Sequence, residues 1–375
     1  MKPGLSTFLR RKQAVPLIGV DVGTSAVKLA RIEFDGPIWK VTTTGVVPAA
    51  KTDSVEETPA RIRELLKDRG IPRPWRAASA LPAKNAEIRI LGVPVGDPST
   101  LPSRVMPAAE QVLPFGTEDT ILDFFSLGAS FNGGEKTERV LLAAASRSAV
   151  DRRLEFLERA GMVPEVIELV PWALARAIRY LGVQPEDAPF GILDLGHTTS
   201  TIIILDRNGL FLSRSVRTGS KGLTEKIRKE LDLDWNRAEQ LKGERGLSLA
   251  AQACRTGGTE EGATLVAEIL DDLFLPALAH LADEIEKSIA FYASESQGEI
   301  LDRLILTGGG ARLKNLDAFL SERLGLGVQI VGPESSDSDP DAGETGAGVS
   351  WPLMAGALGL AMRDSTTPER RPRRT

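Results

Sequence analysis

The chain reads as an α/β protein of two duplicated lobes, and three observations predict that class. The first is a motif that occurs twice, as Asp21-Val22-Gly23-Thr24-Ser25 and as Asp194-Leu195-Gly196-His197-Thr198. The second is its setting. Each copy follows a short apolar run, leads into another, and reaches Asp35-Gly36 or Asn208-Gly209 at the same offset; both dipeptides favour hairpin turns. The third is Thr307-Gly308-Gly309-Gly310, between the apolar run Leu304 to Leu306 and a helical pattern. Glycine turns let backbone amides approach a ligand closely, and hydroxyls with one carboxylate suit a metal-bound phosphate chain. Two facing turns of this kind imply a nucleotide held in a cleft between two halves.

Length agrees: 375 residues exceed what one core serves, at roughly 150 residues per domain. Hydrophobic residues at 42% and charged residues at 26% fit a folded soluble chain and exclude a disordered or membrane one. A net charge of -5 supplies no general drive toward nucleic acid or anionic lipid. Basic residues gather only at the ends, Arg10 to Lys12 and Arg370 to Arg374, as solvated tails. The lone cysteine, Cys254, excludes an internal disulfide or a cysteine metal cluster and fits a reducing compartment. Without a long apolar run or signal peptide, the expected location is the cytoplasm.

In chain order, residues 1–14 read as a flexible segment and 15–188 as the first lobe. After its hairpin, Val55 to Arg69 has helical spacing with Ile62, Leu65 and Leu66 inward, and Ala77 to Leu81 is a short strand. Residues 82–138 form an inserted small subdomain, proline-rich and irregular from Ile88, with a helix at Ser103 to Val112 and a strand at Thr120 to Leu127. Arg139 to Ala145 is a buried strand, and Ser148 is the expected cap of a helix Ala149 to Ala160. Val163 to Leu169 is a strand, followed by a helix from Pro171, an orphan-donor position that proline tolerates. The second lobe spans 189–362. Its helical insertion, 216–300, holds helices at Gly222 to Leu231, Trp235 to Lys242 and Thr259 to Ser296, the last broken or kinked by Pro276. An acidic loop, 333–348, precedes a final helix, Trp351 to Met362, rich in small residues and expected to pack tightly, on the first lobe. Residues 363–375 are a disordered basic tail.

Asp21 and Asp194 are the expected Mg²⁺ carboxylates, acting mostly through water because this ion keeps its hydration shell. Asp194 is also the candidate to orient an attacking water. Gly23, Thr24, Ser25, Gly196, His197, Thr198 and Thr199 supply amides and hydroxyls around the phosphates, and Lys28 is placed to reach one. Gly308, Gly309 and Gly310 form the flat wall. An isolated Asp-x-Gly is usually a turn cap; the pair in this order is the stronger signal. His197 has no Cys, His or carboxylate cluster around it and is not a transition-metal ligand, and His280 is a helix-surface residue.

The paired hairpins and the glycine turn resemble the actin-like ATPase superfamily, with its ribonuclease H-like lobes. Within it, LIGVDVGTSAVKLARIE, AEQVLPF with TILDFFSLG, GSKGLTEKIRKELDLDWNRAEQLK, LADEIEKSIAFYASESQGEILDRLILTGGGARLKNLDAFL and AGALGLAMR resemble the PilM family of type IV pilus assembly proteins. The resemblance implies an ATP (or ADP) and Mg²⁺ cleft in which Glu239 and Lys242 flank the adenosine, opposite Gly308, Gly309 and Gly310. It implies that Pro82 to Leu127 is the subdomain shared with FtsA, beside a groove for the N-terminal cytoplasmic peptide of PilN. The implied role is a cytoplasmic scaffold of the pilus inner-membrane complex, peripheral at the membrane through its partner, with at most slow ATPase activity and with contacts to other pilus and motor components. His197 departs from the small residue usual there, and Arg217-Thr218-Gly219 from a more glycine-rich turn. The same superfamily contains sugar-type kinases, which need an acceptor base; Glu168 and Asp123 are present but lie in no base motif. It also contains FtsA-like filament proteins and the L-type component of type II secretion, which call for an amphipathic or membrane-spanning end.

Overall fold

The computed structural model describes residues 16–35, 38–50, 55–113, 119–132, 135–185, 187–248, 261–296, 298–332 and 350–363. The segment 1–14, the tail beyond Arg363, the loop 333–348, Gly36 of the first hairpin and Cys254 lie outside the described residues.

Among the described residues, apolar strands alternate with helices as the pattern predicts, and they assemble into three sheets. Strands β1 (Ile18–Val22), β2 (Ala26–Asp35), β3 (Ile38–Pro48), β4 (Arg76–Leu81) and β8 (Val163–Leu169) make the first, in the order β3-β2-β1-β4-β8. Strands β9 (Phe190–Leu195), β10 (Ser200–Asp206), β11 (Gly209–Val216), β12 (Arg303–Thr307) and β13 (Gly327–Ile330) make the second, in the order β11-β10-β9-β12-β13. The two orders correspond strand for strand. In both, the hairpin strands pair antiparallel and the later strands join in parallel. The repeated motif therefore marks a repeated five-stranded sheet.

Helices cover both sheets with their apolar faces. In the first lobe α1 (Glu57–Asp68) and α3 (Arg147–Arg159) close a core of Val20, Leu29, Ile62, Leu66, Trp75 and Leu157. In the second, α5 (Ser220–Glu230), α6 (Trp235–Arg245), α7 (Glu261–Glu295) and α8 (Leu316–Leu324) pack around Leu193, Ile227, Phe274, Leu281 and Leu306. Helix α4 (Val170–Leu181) joins the lobes. The last helix, α9 (Trp351–Ala361), packs on α4, β1, β2 and β12. Two glycines permit that approach. A Cβ on Gly19 of β1 would stand 2.0 Å from the carbonyl oxygen of Ala357, and one on Gly359 only 1.7 Å from that of Ala173.

The inserted subdomain is a three-stranded antiparallel sheet ordered β5-β7-β6, formed by β5 (Ala86–Pro94), β6 (Thr120–Asn132) and β7 (Glu135–Ser146), with α2 (Leu101–Val112) on one face. Four local expectations are corrected. The stretch from Ile88 is not irregular: β5 pairs with β7 residue for residue from Ala86 to Pro94, because its proline comes at the strand's end, where no ladder donor is lost. Strand β7, expected to leave the subdomain at 138, stays in the sheet to Ser146. The cap of α3 is Ser146, whose Oγ accepts from the Ala149 N–H at 3.3 Å, and not Ser148, which is exposed on the helix's first turn. Pro276 does not break α7. It lies on the exposed side with Asp272, so the carbonyl deprived of its partner faces water.

Candidate functional site

The two repeated turns have the same internal structure. In the first, Gly23 N–H donates to the Ala26 carbonyl at 3.1 Å; in the second, Gly196 N–H donates to the Thr199 carbonyl at 3.1 Å. The residue opposite each aspartate in the hairpin also corresponds: Lys28 stands across from Asp21, and Thr201 across from Asp194. The turns face one another, with the hydroxyls of Thr24 and Thr198 3.4 Å apart. Between them lies a cavity of about 680 Å³.

The residues expected from sequence to hold nucleotide and metal all line this cavity: Asp21, Gly23, Thr24, Ser25 and Lys28 from the first lobe, and Asp194, Gly196, His197, Thr198, Thr199, Glu239, Lys242, Gly308, Gly309 and Gly310 from the second. Gly308 has φ +86, and a Cβ there would stand 2.6 Å from Asp194 Oδ1. The turn is thus closed to any larger residue, while its amide is held by the Pro352 carbonyl at the start of α9, 2.8 Å away. Gly309 has more room, its nearest neighbour being Leu353 at 3.4 Å.

Electrostatics divide the two aspartates. Lys28 Nζ donates to Asp21 Oδ2 at 2.9 Å. Burial pulls the lysine down, but the charge and hydrogen bond of Asp21, together with Asp194, outweigh it, and its pKa is raised. Asp194 is half-buried at the end of β9. Desolvation first, then the negative charge of Asp21, push it up to about 6, against Lys28 and a 3.2 Å hydrogen bond from Thr307 Oγ1. Such a carboxyl changes protonation just below neutrality and is suited to holding or taking a proton.

On the second-lobe side Lys242 Nζ donates to Glu239 Oε1 at 2.7 Å and to Thr224 Oγ1 at 2.7 Å, while the Thr224 hydroxyl donates to Glu239. The helix-face pair is thereby fixed at the cavity wall. His197 sits edge-on to Trp235, ring centres 6.0 Å apart, and burial lowers its pKa. Trp235 and Arg153 also line the cavity and had no site role from sequence, and Thr307, read only as the residue leading into the glycine run, lines it too. Trp235 had a signal, since it precedes the Ala-Glu-x-x-Lys segment; Arg153 had none, being one of several arginines in an amphipathic helix. Neither acceptor-base candidate lines the cavity. Glu168 is buried and held by Arg176 and Arg363, and Asp123 is exposed on β6. Among the described residues no group of three or more His, Cys, Asp or Glu is arranged to hold a metal ion, and no helix is long and apolar enough to cross a membrane.

Comparison with known proteins agrees with this architecture. The structure is similar to the PilM-PilN type IV pilus biogenesis complex, with a TM-score of 0.72 at 27% identity over 95% of this chain and 100% of that one. It is also similar to the ethanolamine utilization protein EutJ from Carboxydothermus hydrogenoformans, with a TM-score of 0.51 at 16% identity over 94% and 93% of the two chains, which shows a shared fold alone. In sequence the chain is 27% identical over 236 residues to the cell shape-determining protein MreB of Escherichia coli strain K12, covering 58% of this chain and 67% of MreB. The fold is that of the actin-like ATPases. Residues 191–359 match the family model of the cell division protein FtsA. Residues 19–254, more than half of the chain, match that of the type IV pilus assembly protein PilM, and the protein belongs to that family.

Proposed function

We propose that this protein is an ATP-binding scaffold of the type IV pilus inner-membrane complex, turning ATP over slowly if at all, and that it takes the N-terminal cytoplasmic peptide of a PilN-like membrane protein. The observation that carries the nucleotide reading is the meeting of the two glycine turns, their threonine hydroxyls 3.4 Å apart, on one cavity. Gly23, Thr24, Ser25, Lys28, Gly196, His197, Thr198 and Thr199 then surround the phosphates, and Glu239, Lys242, Gly308, Gly309 and Gly310 flank the adenosine. The donor set suits Mg²⁺ rather than a transition metal. Two carboxylates, Asp21 and Asp194, not part of any group of three His, Cys, Asp or Glu among the described residues, match an ion that keeps its waters and gathers phosphate oxygens. When bound, Mg²⁺ neutralises phosphate charge. Asp194, with its pKa near 6, is the residue placed to orient water.

The partner reading draws on membership of the PilM family and on likeness to a PilM-PilN complex over nearly the whole chain. It is supported by exposed apolar side chains, Ile121 and Phe125, on the edge strand β6 of the inserted sheet. Membrane association would then be indirect, through the partner. Titration of the full chain with Mg-ATP and with a PilN-type N-terminal peptide tests both halves. Saturable binding of each is expected. Asp21→Ala should weaken nucleotide at least about tenfold, the worth of one charge-assisted contact, and leave the peptide unaffected; no binding of either ligand would sink the reading.

A further inference from the structure

Among the described residues, four cations line the cleft: Lys28, Arg153, Lys242 and Arg312. Lys28 and Lys242 are paired with Asp21 and Glu239, and Arg312 is exposed at the rim. Arg153 is different. It rises from α3, and its Nη1 donates to Ser79 Oγ at 2.9 Å and to the Ala80 carbonyl at 2.6 Å. Both acceptors are neutral, and among the described residues no carboxylate comes within 4.0 Å of it. Nε and Nη2 donate to nothing described. Burial lowers its pKa to about 10, with Asp21 the nearby charge that opposes the shift. A guanidinium carries five donors in a rigid fork that matches phosphate oxygens, and Arg153, half-buried with no carboxylate in contact, has donors that an arriving anion would satisfy. The Ser79 hydroxyl that accepts from Arg153 donates in turn to the Val20 carbonyl at 2.6 Å, so the arginine is braced against the strand that carries Asp21.

We propose that Arg153 is a phosphate-contacting residue of the cleft, and that it recognises the terminal phosphate of a bound nucleoside triphosphate. The assignment rests on the nucleotide reading above. In that reading the adenosine lies between Glu239, Lys242 and the glycine turn, all of the second lobe. The far end of the polyphosphate then points to the first lobe, where Arg153 stands with Asp21, Ala80 and Val170. An arginine that meets only the last phosphate separates ATP from ADP; one that merely braces β4 does not.

The test is isothermal titration of the full chain with ATP and with ADP in excess Mg²⁺, for the wild type, Arg153→Gln and Arg153→Lys. Loss of a charge-assisted contact in Arg153→Gln should weaken ATP by about tenfold or more while ADP moves by less than about threefold. Arg153→Lys, which keeps the charge but not the fork, should fall between. A purely structural role lowers the melting temperature of the free protein and weakens both nucleotides alike, so an unchanged ATP-to-ADP ratio overturns the assignment. Should the glutamine variant fail to fold, the lysine variant decides by the same ratio. Binding of both nucleotides by the wild type with no change in ratio sinks the arginine alone. A wild type that binds neither sinks the nucleotide reading and this proposal together.

Discussion

At neutral pH Asp194 carries a charge that its surroundings oppose. Its pKa is raised from 3.8 to about 6 by burial and by Asp21, so the folded protein binds a proton more tightly than the unfolded chain does. Both forms are protonated below about pH 4, where the residue has no effect on stability. As pH rises from there through 6, the unfolded chain ionises first and stability falls, by about 3 kcal/mol for a shift of this size. Asp194→Asn should therefore stabilise the nucleotide-free protein at pH 7 by up to about that amount, with the gain fading toward pH 4. Urea unfolding of both proteins at the two pH values checks this; a constant difference would be inconsistent with a buried, raised carboxyl. In Mg-ATP the same substitution should lose the nucleotide's stabilisation. The identity of this aspartate was legible in its motif. Its raised pKa was not, because it depends first on burial in the folded cleft and then on the facing carboxylate of the other lobe.

Single elements show what short-range rules leave open. Sequence pointed to Ser148 as the cap of α3, and the fold gives that role to Ser146. Ser146→Ala should cost about 1 kcal/mol through the lost bond to Ala149 N–H, whereas exposed Ser148→Ala should change stability by less than about 0.5 kcal/mol. Denaturant midpoints of the two variants settle the order. Helix α9 makes a stronger demand. Its Gly359 meets the Ala173 carbonyl so closely that a Cβ would stand at 1.7 Å, well inside contact distance. Gly359→Ala should thus destabilise the protein by about 1–3 kcal/mol or more, although alanine is the better helix former. A raised melting temperature would contradict that packing. Sequence revealed the small-residue helix but not the backbone it touches, which lies in another element.

For the molecule as a whole, the consequence of two matching sheets is a shared cleft floor. Lys28 of one lobe and Asp194 of the other interact electrostatically, and α9 spans from β1 and β2 to β12. A ligand gripping both turns should therefore stabilise the chain as one unit. Saturating Mg-ATP, at about 100 times its dissociation constant, should add roughly 2.7 kcal/mol, seen as a single shifted melting transition. Asp21→Ala and Asp194→Ala should cut the shift at the same ligand concentration to about half or less. Two transitions, with only one moved, would mean that the lobes do not share the ligand.

The repeat, its turns and the glycine run were determined by sequence alone, because strand alternation, hairpin dipeptides and close-approach glycines are each encoded within a few neighbouring residues. The two sheet orders, seen only in the fold, correspond strand for strand as such a duplication requires. Only the tertiary structure decided that Ala86 to Pro94 is a strand, that α7 passes through Pro276 unbroken, that Thr224 locks Glu239 to Lys242, and that Arg153 faces the cleft. Each of these depends on groups brought together from distant parts of the chain, or on which side of an element meets water, and no local pattern carries that information.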